Sequence, residues 1–259
     1  MEWHNKSVVV TGGTGFLGSK IVSQLKEKGA KNILIPKSNE YDLRYKENAK
    51  KITENADIVF HIAAKVGGIG LNQEKPGELF YDNLIMGTNL LEQARENNVE
   101  KFIALGTVCS YPKFTPIPFK EESIWDGYPE ETNAPYGLAK KMLLVQSQAY
   151  RQQYNFQSIM VIPTNLYGPN DNFDDKSSHV IPALIKKIYQ AKKENLKNIS
   201  VWGDGSPTRD FLYVDDAANG IILAAEKYNS SLPINLGSGI EISIKELVLK
   251  IIHLMDADI

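Results

Sequence analysis

The chain alternates between short apolar runs and longer segments in which apolar residues recur every three or four positions. Near-continuous apolar runs are typical of parallel strands that are buried on both faces of a sheet. They predict strands at Ser7–Thr11, Asn32–Ile35, Asp57–Ile62, Lys101–Leu105 and Ser158–Ile162. The three-and-four spacing predicts helices at Phe16–Lys28, Arg44–Glu54, Pro76–Asn97, Tyr136–Tyr154 and from about His179 to Lys193. This alternation predicts an α/β fold with a doubly wound parallel sheet.

Composition and charge narrow the classes of function. The chain has 259 residues, of which 42% are hydrophobic and 23% charged, as in ordinary globular proteins. Its formal net charge of −2 does not favour binding to nucleic acid or to an anionic membrane surface. The single cysteine, Cys109, cannot form an internal disulfide, and residues 1–10 lack a secretory pattern, so we expect a cytoplasmic protein. No apolar stretch reaches the ~18 residues that a membrane-spanning helix needs.

A glycine-rich segment follows the first predicted strand and opens the first predicted helix. It reads Gly12-Gly13-Thr14-Gly15-Phe16-Leu17-Gly18. The first, third and fourth of these glycines permit a tight turn, a close approach of the backbone to a pyrophosphate, and close packing of helix on strand. Free N–H groups at the helix start then face the phosphates. The whole segment therefore predicts the cofactor contact of a dinucleotide-binding (Rossmann) fold.

The end of the second predicted strand bears on the choice of dinucleotide. An acidic residue there would hold the ribose hydroxyls and repel a 2′-phosphate. This chain instead has Lys37 and Ser38, with no carboxylate before Glu40. These residues favour NADPH/NADP+ as the cofactor, and a plain surface role for Lys37 is nearly as compatible with the sequence. Asp42 and Leu43 follow where the adenine end is commonly approached.

Tyr136 and Lys140 lie one turn apart on the same face of a predicted helix. A lysine cation beside a tyrosine lowers the pKa of the phenol towards neutrality, which makes it a usable acid or base. Such a pair alone is common on helices. Together with the glycine-rich segment and the hydroxyl of Thr107 after the fourth predicted strand, it predicts a site where Thr107 orients a carbonyl and Tyr136 protonates it.

Several segments, together with these motifs, resemble one enzyme family. They are residues 12–18, Thr107, Tyr136 with Lys140, and segments 63–69, 109–113, 163–169, 178–184, 201–203 and 209–211. The chain resembles, along essentially its whole length, the extended short-chain dehydrogenase/reductases that act on nucleotide sugars. The finer match is to members that act on GDP-4-keto-6-deoxy-D-mannose. The resemblance implies epimerisation at C3 and C5, followed by NADPH-dependent reduction at C4 to GDP-L-fucose.

The resemblance assigns the proton transfers at C3 and C5 to Cys109 and His179. A ketone at C4 acidifies the protons on both neighbouring carbons, so a base can remove each one and an acid on the other face can return it. A thiol and an imidazole both exchange protons near neutral pH, and either can serve as the base. Without the resemblance, Cys109 is equally compatible with a core position, and His179 with a surface position beside a helix cap at Ser178.

The resemblance also implies further contacts with cofactor and substrate. For the cofactor, beside Lys140, these are Ala63, Ala64, Lys65, Leu105, Gly106, Pro163, Thr164, Asn165, Leu166 and His179. For a GDP-linked keto sugar, they are Asn165, Lys187, Trp202 and Arg209. Lys187 stands where members commonly have arginine, and a lysine keeps the charge but loses the planar fork. No cluster of ligands predicts a metal site, and His4, His61 and His253 are expected to be structural or surface residues.

We expect a dinucleotide-binding domain and a smaller substrate-binding lobe. The expected domain comprises residues 1–164 and 210–236, and the expected lobe comprises residues 165–209 and 237–259. Family members continue for several tens of residues beyond the position of Ile259, so we expect a lobe that is either minimal or truncated. The predicted helix 136–154 has two apolar stripes, one formed by Leu138, Met142, Val145 and Ala149 and the other by Tyr136, Leu143, Tyr150 and Tyr154. One stripe can pack on the sheet, and the other can meet a neighbouring helix or a second subunit, so we expect a homodimer.

Two other hypotheses remain compatible with the sequence. A different nucleotide-sugar 4-reductase or 4-epimerase of the same fold would retain Tyr136 and Lys140 without needing Cys109 and His179. A truncated, non-catalytic NADP(H)-binding protein is favoured by the short C-terminal part. The intact set of Thr107, Tyr136 and Lys140 argues against that second alternative.

Overall fold

The computed structural model describes residues 1–175 and 177–259 of the chain. The strands are β1 (Ser7–Thr11), β2 (Asn32–Leu34), β3 (Ile58–His61), β4 (Lys101–Leu105), β5 (Ser158–Pro163), β6 (Asn165–Tyr167), β7 (Thr208–Tyr213), β8 (Ile234–Leu236) and β9 (Glu241–Ser243). The helices are α1 (Phe16–Glu27), α2 (Lys46–Thr53), α3 (Ile69–Glu74), α4 (Pro76–Glu96), α5 (Ala134–Tyr154), α6 (Val180–Lys193), α7 (Val214–Lys227) and α8 (Ile244–Leu254). All five predicted strands and all five predicted helices are present, with bounds within two residues of those expected.

The main sheet has six strands in the order β2-β1-β3-β4-β5-β8, and every pairing in it is parallel. The chain therefore runs outward from β1 in both directions, which confirms the predicted doubly wound fold. In this arrangement the C-terminal ends of β1, β3, β4 and β5 meet at one edge of the sheet. That edge, where the strand order reverses, is where such folds bind ligands.

Helices cover both faces of the main sheet. α1 and α7 pack on one face, where they bury strand residues such as Val8 and Phe60. α2, α4 and α5 pack on the other face and bury Val9 and Phe102. Each buried side chain of this size contributes roughly 1.5–3 kcal/mol relative to an exposed one. Burial on both faces explains why the strands are apolar at nearly every position.

A second, three-stranded sheet has the order β6-β7-β9, with β6 parallel and β9 antiparallel to β7. Beside it, α6 and α8 share a separate apolar cluster that includes Leu184, Ile188, Leu247 and Ile251. The expected boundary at residue 210 falls inside β7, whereas the following α7 packs on α1. We therefore propose that the dinucleotide-binding domain resumes at α7 rather than at residue 210.

One edge of the main sheet is covered by an irregular segment. The backbone N–H of Asn235 in β8 donates to Glu121 Oε1 at 2.9 Å, and its side chain donates to the carbonyl of Phe119 at 3.0 Å. The Tyr111 hydroxyl donates to Asn235 Oδ1 at 2.7 Å. One asparagine thus ties the chain between β4 and α5 to the edge strand.

Within the described ranges, no helix is long and apolar enough to cross a bilayer.

A charged cluster joins the two long helices on one face of the sheet. The Tyr150 hydroxyl on α5 donates to Glu92 Oε2 on α4 at 2.6 Å, and Arg95 Nη2 donates to Glu92 Oε1 at 2.7 Å. The guanidinium carbon of Arg95 also lies 4.4 Å from the ring centre of Tyr154. These hydrogen bonds, led by that from Arg95, lower the pKa of Glu92 to about 2.

We predict that Glu92 gives the fold an acid-dependent stability. Its pKa is lowered in the folded state, so the stabilisation is present above the carboxyl's ordinary pKa and is lost as the pH falls towards 2. Because the side chain is partly exposed, we expect about 1–2 kcal/mol. When the free energy of unfolding is measured with urea at pH 7 and at pH 3, its decrease between the two pH values should be smaller for Glu92→Gln than for the wild type. Glu100→Gln, which affects an exposed pair with Lys6, is the control and should match the wild type.

Candidate active site

The glycine-rich segment forms the tight turn between β1 and α1. Gly12 has a φ of +69°, and a Cβ there would lie 2.9 Å from the backbone nitrogen of Ala63. A Cβ on Gly18 would lie 2.1 Å from the carbonyl oxygen of Gly12, so helix and strand meet without a side chain between them. The N-cap of α1 is Gly15, which has no side chain to bond the first helical N–H groups. This cradle fits a pyrophosphate, with Thr14 and Gly15 exposed and Leu17 buried in the core.

Buried polar groups behind the turn shape the start of the next loop. Thr11 Oγ1 accepts a hydrogen bond from the Ala63 N–H at 3.2 Å and lies 3.0 Å from His61 Nδ1. Burial, with the charge of Lys140, lowers the pKa of His61 well below its ordinary value, so its ring is neutral. His61 is therefore a structural residue, as predicted, while the contribution of Thr11 was not anticipated from the sequence.

Two segments are expected at the adenine end of a dinucleotide, and they differ in how accessible their side chains are to a ligand. Lys37 and Ser38 are exposed just after β2. Asp42 Oδ2 accepts from Arg44 Nη2 at 2.7 Å, and the Leu43 side chain is buried, so this turn presents mainly backbone. Asn89 on α4 donates to the carbonyl of Leu43 at 3.2 Å and holds the turn in place.

The ammonium group of Lys65 is paired with two carboxylates. Its nitrogen lies 2.6 Å from Glu78 Oε2 and 2.9 Å from Asp82 Oδ2. The side chain of Asn83 both accepts from the Lys65 N–H at 3.0 Å and donates to its carbonyl at 2.9 Å. The loop that starts with Ala63 and Ala64 is thus fixed by α4. Because its charge and its N–H are both paired, we expect any polar cofactor contact of Lys65 to come from the second lone pair of its carbonyl oxygen.

Thr107, Cys109 and Tyr136 meet where β4 ends and α5 begins. A Cβ on Gly137 would lie 2.1 Å from the Cys109 carbonyl oxygen, and Ser110 Oγ donates to the Gly137 carbonyl at 2.9 Å. Thr107 Oγ1 accepts from the Cys109 N–H at 3.2 Å, and Thr107 lies close enough to the Tyr136 phenol to lower its pKa. The structure therefore brings together the hydroxyl, thiol and phenol that the sequence motifs singled out.

Burial controls the protonation of this cluster. It raises the pKa of the Tyr136 phenol, a shift that the charge of Cys109 reinforces and the hydrogen bond with Thr107 opposes. Burial also lowers the pKa of Lys140, which is only 2% exposed, to about 8. The expected lowering of the Tyr136 pKa by Lys140 is wrong for this arrangement, because desolvation outweighs it. Tyr136 therefore holds its proton at neutral pH, as a proton donor must.

The thiol of Cys109 is influenced mainly by burial and, to a smaller extent, by neighbouring polar and charged groups. Burial raises its pKa, the side-chain hydrogen bond with Thr107 lowers it, and the nearby charges of Glu130 and Arg209 act in opposite directions. Glu130 itself accepts from the N–H and the side-chain amide of Asn133 at 3.1 and 2.8 Å, which fixes it at the start of α5. Cys109 is thus a protonated thiol that faces ionic groups.

His179 stands at the N-cap of α6. The prediction that Ser178 caps this helix is wrong: the helix begins at Val180, and the His179 side chain makes no capping hydrogen bond. The preceding residues contact the Ala63 loop, because the Gly68 N–H donates to the Ser177 carbonyl at 3.2 Å. This contact places His179 near the loop that follows β3 and contains Ala63. Its imidazole is exposed, and Asp171 lies within electrostatic range.

The remaining substrate-side residues lie in the smaller lobe. Lys187 Nζ donates to the Ser200 carbonyl at 3.1 Å and lies 5.9 Å from the ring centre of Trp202, which is 81% exposed. Arg209 is exposed on β7 and acts electrostatically on Cys109. Within the described residues, no recorded contact joins Lys187 or Trp202 to Cys109. Their predicted role is therefore binding at a distance from the thiol.

Asp210 is a site-shaping residue that sequence reasoning did not single out by function. Its Oδ1 accepts from Thr164 Oγ1 at 3.1 Å and from the Ser238 N–H at 3.0 Å, and its Oδ2 accepts from the Gly239 N–H at 2.9 Å. The side chain of Asn165 donates to the Asp210 carbonyl at 3.0 Å. This one carboxylate joins the end of β5 to the loop after β8.

The other residues expected near the cofactor occupy the ends of the central strands. Leu105 and Gly106 end β4, where the Gly106 N–H donates to the Val161 carbonyl at 2.8 Å. Pro163 ends β5, and the Leu166 side chain packs against the main core. These positions surround the same sheet edge as the glycine-rich turn. In the described ranges, no group of histidine, cysteine, aspartate or glutamate residues is arranged to hold a metal ion.

Comparison with known proteins identifies the class. Residues 8–237 match the model of the NAD dependent epimerase/dehydratase family, and the chain belongs to that family. A GDP-L-fucose synthase from Sinorhizobium fredii is 42% identical over 244 residues, which cover 93% of this chain and 77% of the relative.

Solved structures agree with this assignment. A GDP-L-fucose synthetase from Naegleria fowleri bound to NADP superposes with a TM-score of 0.89 at 32% identity, covering 98% of this chain and 78% of the other. A GDP-mannoheptose C4 reductase from Campylobacter jejuni with NADP bound gives a TM-score of 0.90 at 28% identity, covering 98% and 86%. The chain is thus similar both to an epimerase/reductase and to a simple reductase of GDP-sugars.

We predict that Gly18→Ala disrupts the cofactor cradle. The added Cβ would overlap the Gly12 carbonyl, and relief of such overpacking costs about 1–3 kcal/mol. We expect a lower melting temperature and roughly tenfold weaker binding of NADPH, measured by thermal unfolding and by fluorescence titration. The control is Gly77→Ala at the start of α4, where no atom lies within 4 Å of the new Cβ. Unchanged NADPH affinity in Gly18→Ala would show that this turn does not hold the dinucleotide.

Proposed function

We propose that this chain epimerises GDP-4-keto-6-deoxy-D-mannose at C3 and C5 and then reduces the C4 ketone with NADPH, giving GDP-L-fucose. The observation that carries the proposal is the packing of Tyr136 and Thr107 against Cys109, at the sheet edge that also holds the glycine-rich turn. A reductase needs only the phenol and the hydroxyl. A thiol next to them, within electrostatic range of Glu130 and Arg209, is the additional group that epimerisation requires.

The residues present fit NADP(H). The Gly12–Gly18 turn would hold the pyrophosphate, and Lys37 with Ser38 would hold the 2′-phosphate, since the Lys37 ammonium has no recorded acidic partner among the described residues. Asp42 and Leu43 would border the adenine, and Lys140 the nicotinamide ribose. Ala63, Ala64, Leu105, Gly106, Pro163, Thr164, Asn165 and Leu166 would line the rest. When bound, NADPH supplies the hydride for reduction at C4.

The chain's own groups carry the proton transfers. Thr107 donates a hydrogen bond to the C4 oxygen, and Tyr136 gives its proton to that oxygen as the alcohol forms. The raised pKa of Tyr136 suits this task, because an alkoxide is a stronger base than a phenolate. Lys140 stabilises the resulting phenolate by its charge. Cys109 and His179 exchange protons with C3 and C5 through an enolate that the same hydrogen bonds stabilise.

GDP recognition falls to the smaller lobe. Arg209 and Lys187 would neutralise the diphosphate, and Trp202 offers an exposed ring beside the Lys187 ammonium. Asn165 would contact the sugar through its side-chain oxygen, since its nitrogen already donates to Asp210. The unpaired Cys109 is in keeping with a reducing cytoplasm, which is the location that we propose.

A second candidate is a GDP-sugar C4 reductase without epimerase activity. The similarity to the Campylobacter jejuni GDP-mannoheptose C4 reductase favours it, because that fold needs no change to accommodate reduction alone. The two candidates share Tyr136, Lys140 and Thr107 and differ in their need for Cys109. Proton exchange at C3 and C5 therefore separates them.

We predict that exchange and reduction can be removed independently. In D2O with the keto sugar alone, the wild type should lose the C3 and C5 proton signals in NMR spectra, and added NADPH should then be oxidised faster than NADH. Cys109→Ser should slow exchange by at least ~100-fold, and Tyr136→Phe should slow reduction by a similar factor while exchange continues. Reduction with unchanged exchange in Cys109→Ser would favour the simple reductase. Bound NADPH that the wild type never oxidises would favour a non-catalytic binding protein.

We also propose a homodimer built on α5. On its outer face Met142 is 38% exposed and Val145 42% exposed, with Leu138 and Ala149 in the same stripe, whereas Leu143 and Leu144 are buried beneath. We predict that the wild type sediments as a dimer and that Val145→Asp sediments as a monomer with an unchanged melting temperature. Leu223→Asp on α7, at a residue 52% exposed, is the control and should remain dimeric. Equal sedimentation of the wild type and Val145→Asp would contradict the proposal.

A further inference from the structure

The connection between β6 and α6 folds back on itself through its own polar groups. Asn172 Nδ2 donates to Ser177 Oγ at 2.9 Å, and Asn172 Oδ1 accepts from the Asp174 N–H at 3.0 Å. The Ser178 N–H then donates to the Asp174 carbonyl at 3.0 Å. These hydrogen bonds bring the end of the loop back near its beginning. They therefore bring Asp171, at the beginning of the loop, close to His179 at its end.

Asp171 has one carboxylate oxygen with a partner and one without. Its Oδ1 accepts from the Asn172 N–H at 2.7 Å. Its Oδ2 is buried and has no hydrogen-bond partner in the described part of the chain. A buried carboxylate oxygen normally has a donor, since leaving it unpaired is costly. The loop thus presents an unused acceptor.

His179 supplies the complementary group. Burial raises the pKa of Asp171, and the charge of His179 acts in the opposite direction, so the two side chains are electrostatically coupled. The imidazole makes no capping bond to α6, and neither ring nitrogen has a hydrogen-bond partner among residues 1–175 and 177–259. The N-terminal end of a helix opposes a positive charge placed on it, and a nearby carboxylate offsets that opposition.

We infer that Asp171 is a positioning residue for His179: its Oδ2, unpaired in this structure, accepts a hydrogen bond from one ring nitrogen once the exposed imidazole turns towards it, while the other nitrogen exchanges a proton with the sugar. The inference rests on the proposed function. A proton passes between carbon and the free ring nitrogen, and the electron pair on carbon is shared with the C4 oxygen as an enolate. Asp171 stays ionised throughout and never touches the substrate. It fixes the ring orientation and offsets the charge of the imidazolium.

The test uses two loop variants that remove the same charge. Asp171→Asn keeps an oxygen to accept from the Asn172 N–H but removes the negative charge. Asp175→Asn is the control, because in the described part of the chain Asp175 makes only an exposed pair with Lys186 at 2.6 Å. We expect Asp171→Asn to slow C3 and C5 exchange at least about tenfold with unchanged KM, and to leave reduction of the already epimerised sugar intact. Asp175→Asn should behave as the wild type.

A double variant distinguishes action through His179 from a general effect on the fold. If Asp171 acts through the imidazole, Asp171→Asn should cause no further loss of exchange in a His179→Gln background. An equal loss in both backgrounds would overturn the inference. So would exchange in Asp171→Asn that matches Asp175→Asn.

A spectroscopic readout separates this inference from the proposed function. In protein labelled with 15N-histidine, the His179 ring signals, assigned by their absence in His179→Gln, should shift in Asp171→Asn and stay unchanged in Asp175→Asn. Unshifted signals in Asp171→Asn would overturn the pairing even if the wild type exchanges protons. Shifted signals in a wild-type protein that exchanges none would support the pairing and refute the epimerase.

Discussion

The backbone of α5 lies directly against the backbone that follows β4, and the candidate site depends on that contact. Gly137 permits it, since any Cβ there would overlap the Cys109 carbonyl. The residues on either side of this contact are Tyr136 and Cys109, so the phenol and the thiol are brought together by main-chain packing rather than by their own side-chain interactions. Ser110 fixes the contact with a hydrogen bond to the Gly137 carbonyl. The geometry of the reacting groups is thereby as rigid as the helix and sheet that carry them.

This rigid placement removes water from ionisable groups, and the electrostatics follow from it. Burial keeps Tyr136 and Cys109 protonated and weakens the hold of Lys140 on its proton. Tyr136 and Cys109 are therefore neutral at pH 7, whereas Lys140, with a pKa of about 8, still carries most of its positive charge. On the cofactor side, in contrast, Lys65 and Arg44 are already neutralised by carboxylates of the same protein. Charge for a phosphate must therefore come from the helix N-terminus and from residues such as Lys37.

Five of the six strands of the main sheet were predicted, because the four central ones are buried on both faces and apolar at nearly every position. The edge strand β8 was missed, since it is only three residues long and only partly buried. The second sheet escaped prediction for the converse reason. β7 is half exposed and polar, and its partners lie far along the chain, with Asn165 opposite Phe211 and Arg209 opposite Ile242.

The candidate site shows the same division. Groups in local motifs, such as Tyr136 with Lys140, could be found from their spacing once it was combined with the glycine-rich segment and Thr107. Asp210 and Asn83 could not, because each acts by bonding backbone groups that only the folded chain brings near. The protonation state of Tyr136 was also beyond the sequence, since it depends on how much water the packing excludes.

The hydrogen bonds that join Asn235 of β8 to Glu121 and Phe119 affect how the protein behaves at high concentration. An edge strand with free amides is a template on which another polypeptide can add a strand. Here the outward amide of Asn235 is occupied by Glu121, and the segment around Phe119 shields the flank. A second molecule that approaches this side meets satisfied donors and a carboxylate. The contacts of Asn235 thus protect this edge of the main sheet against fibril-like addition of strands from other molecules.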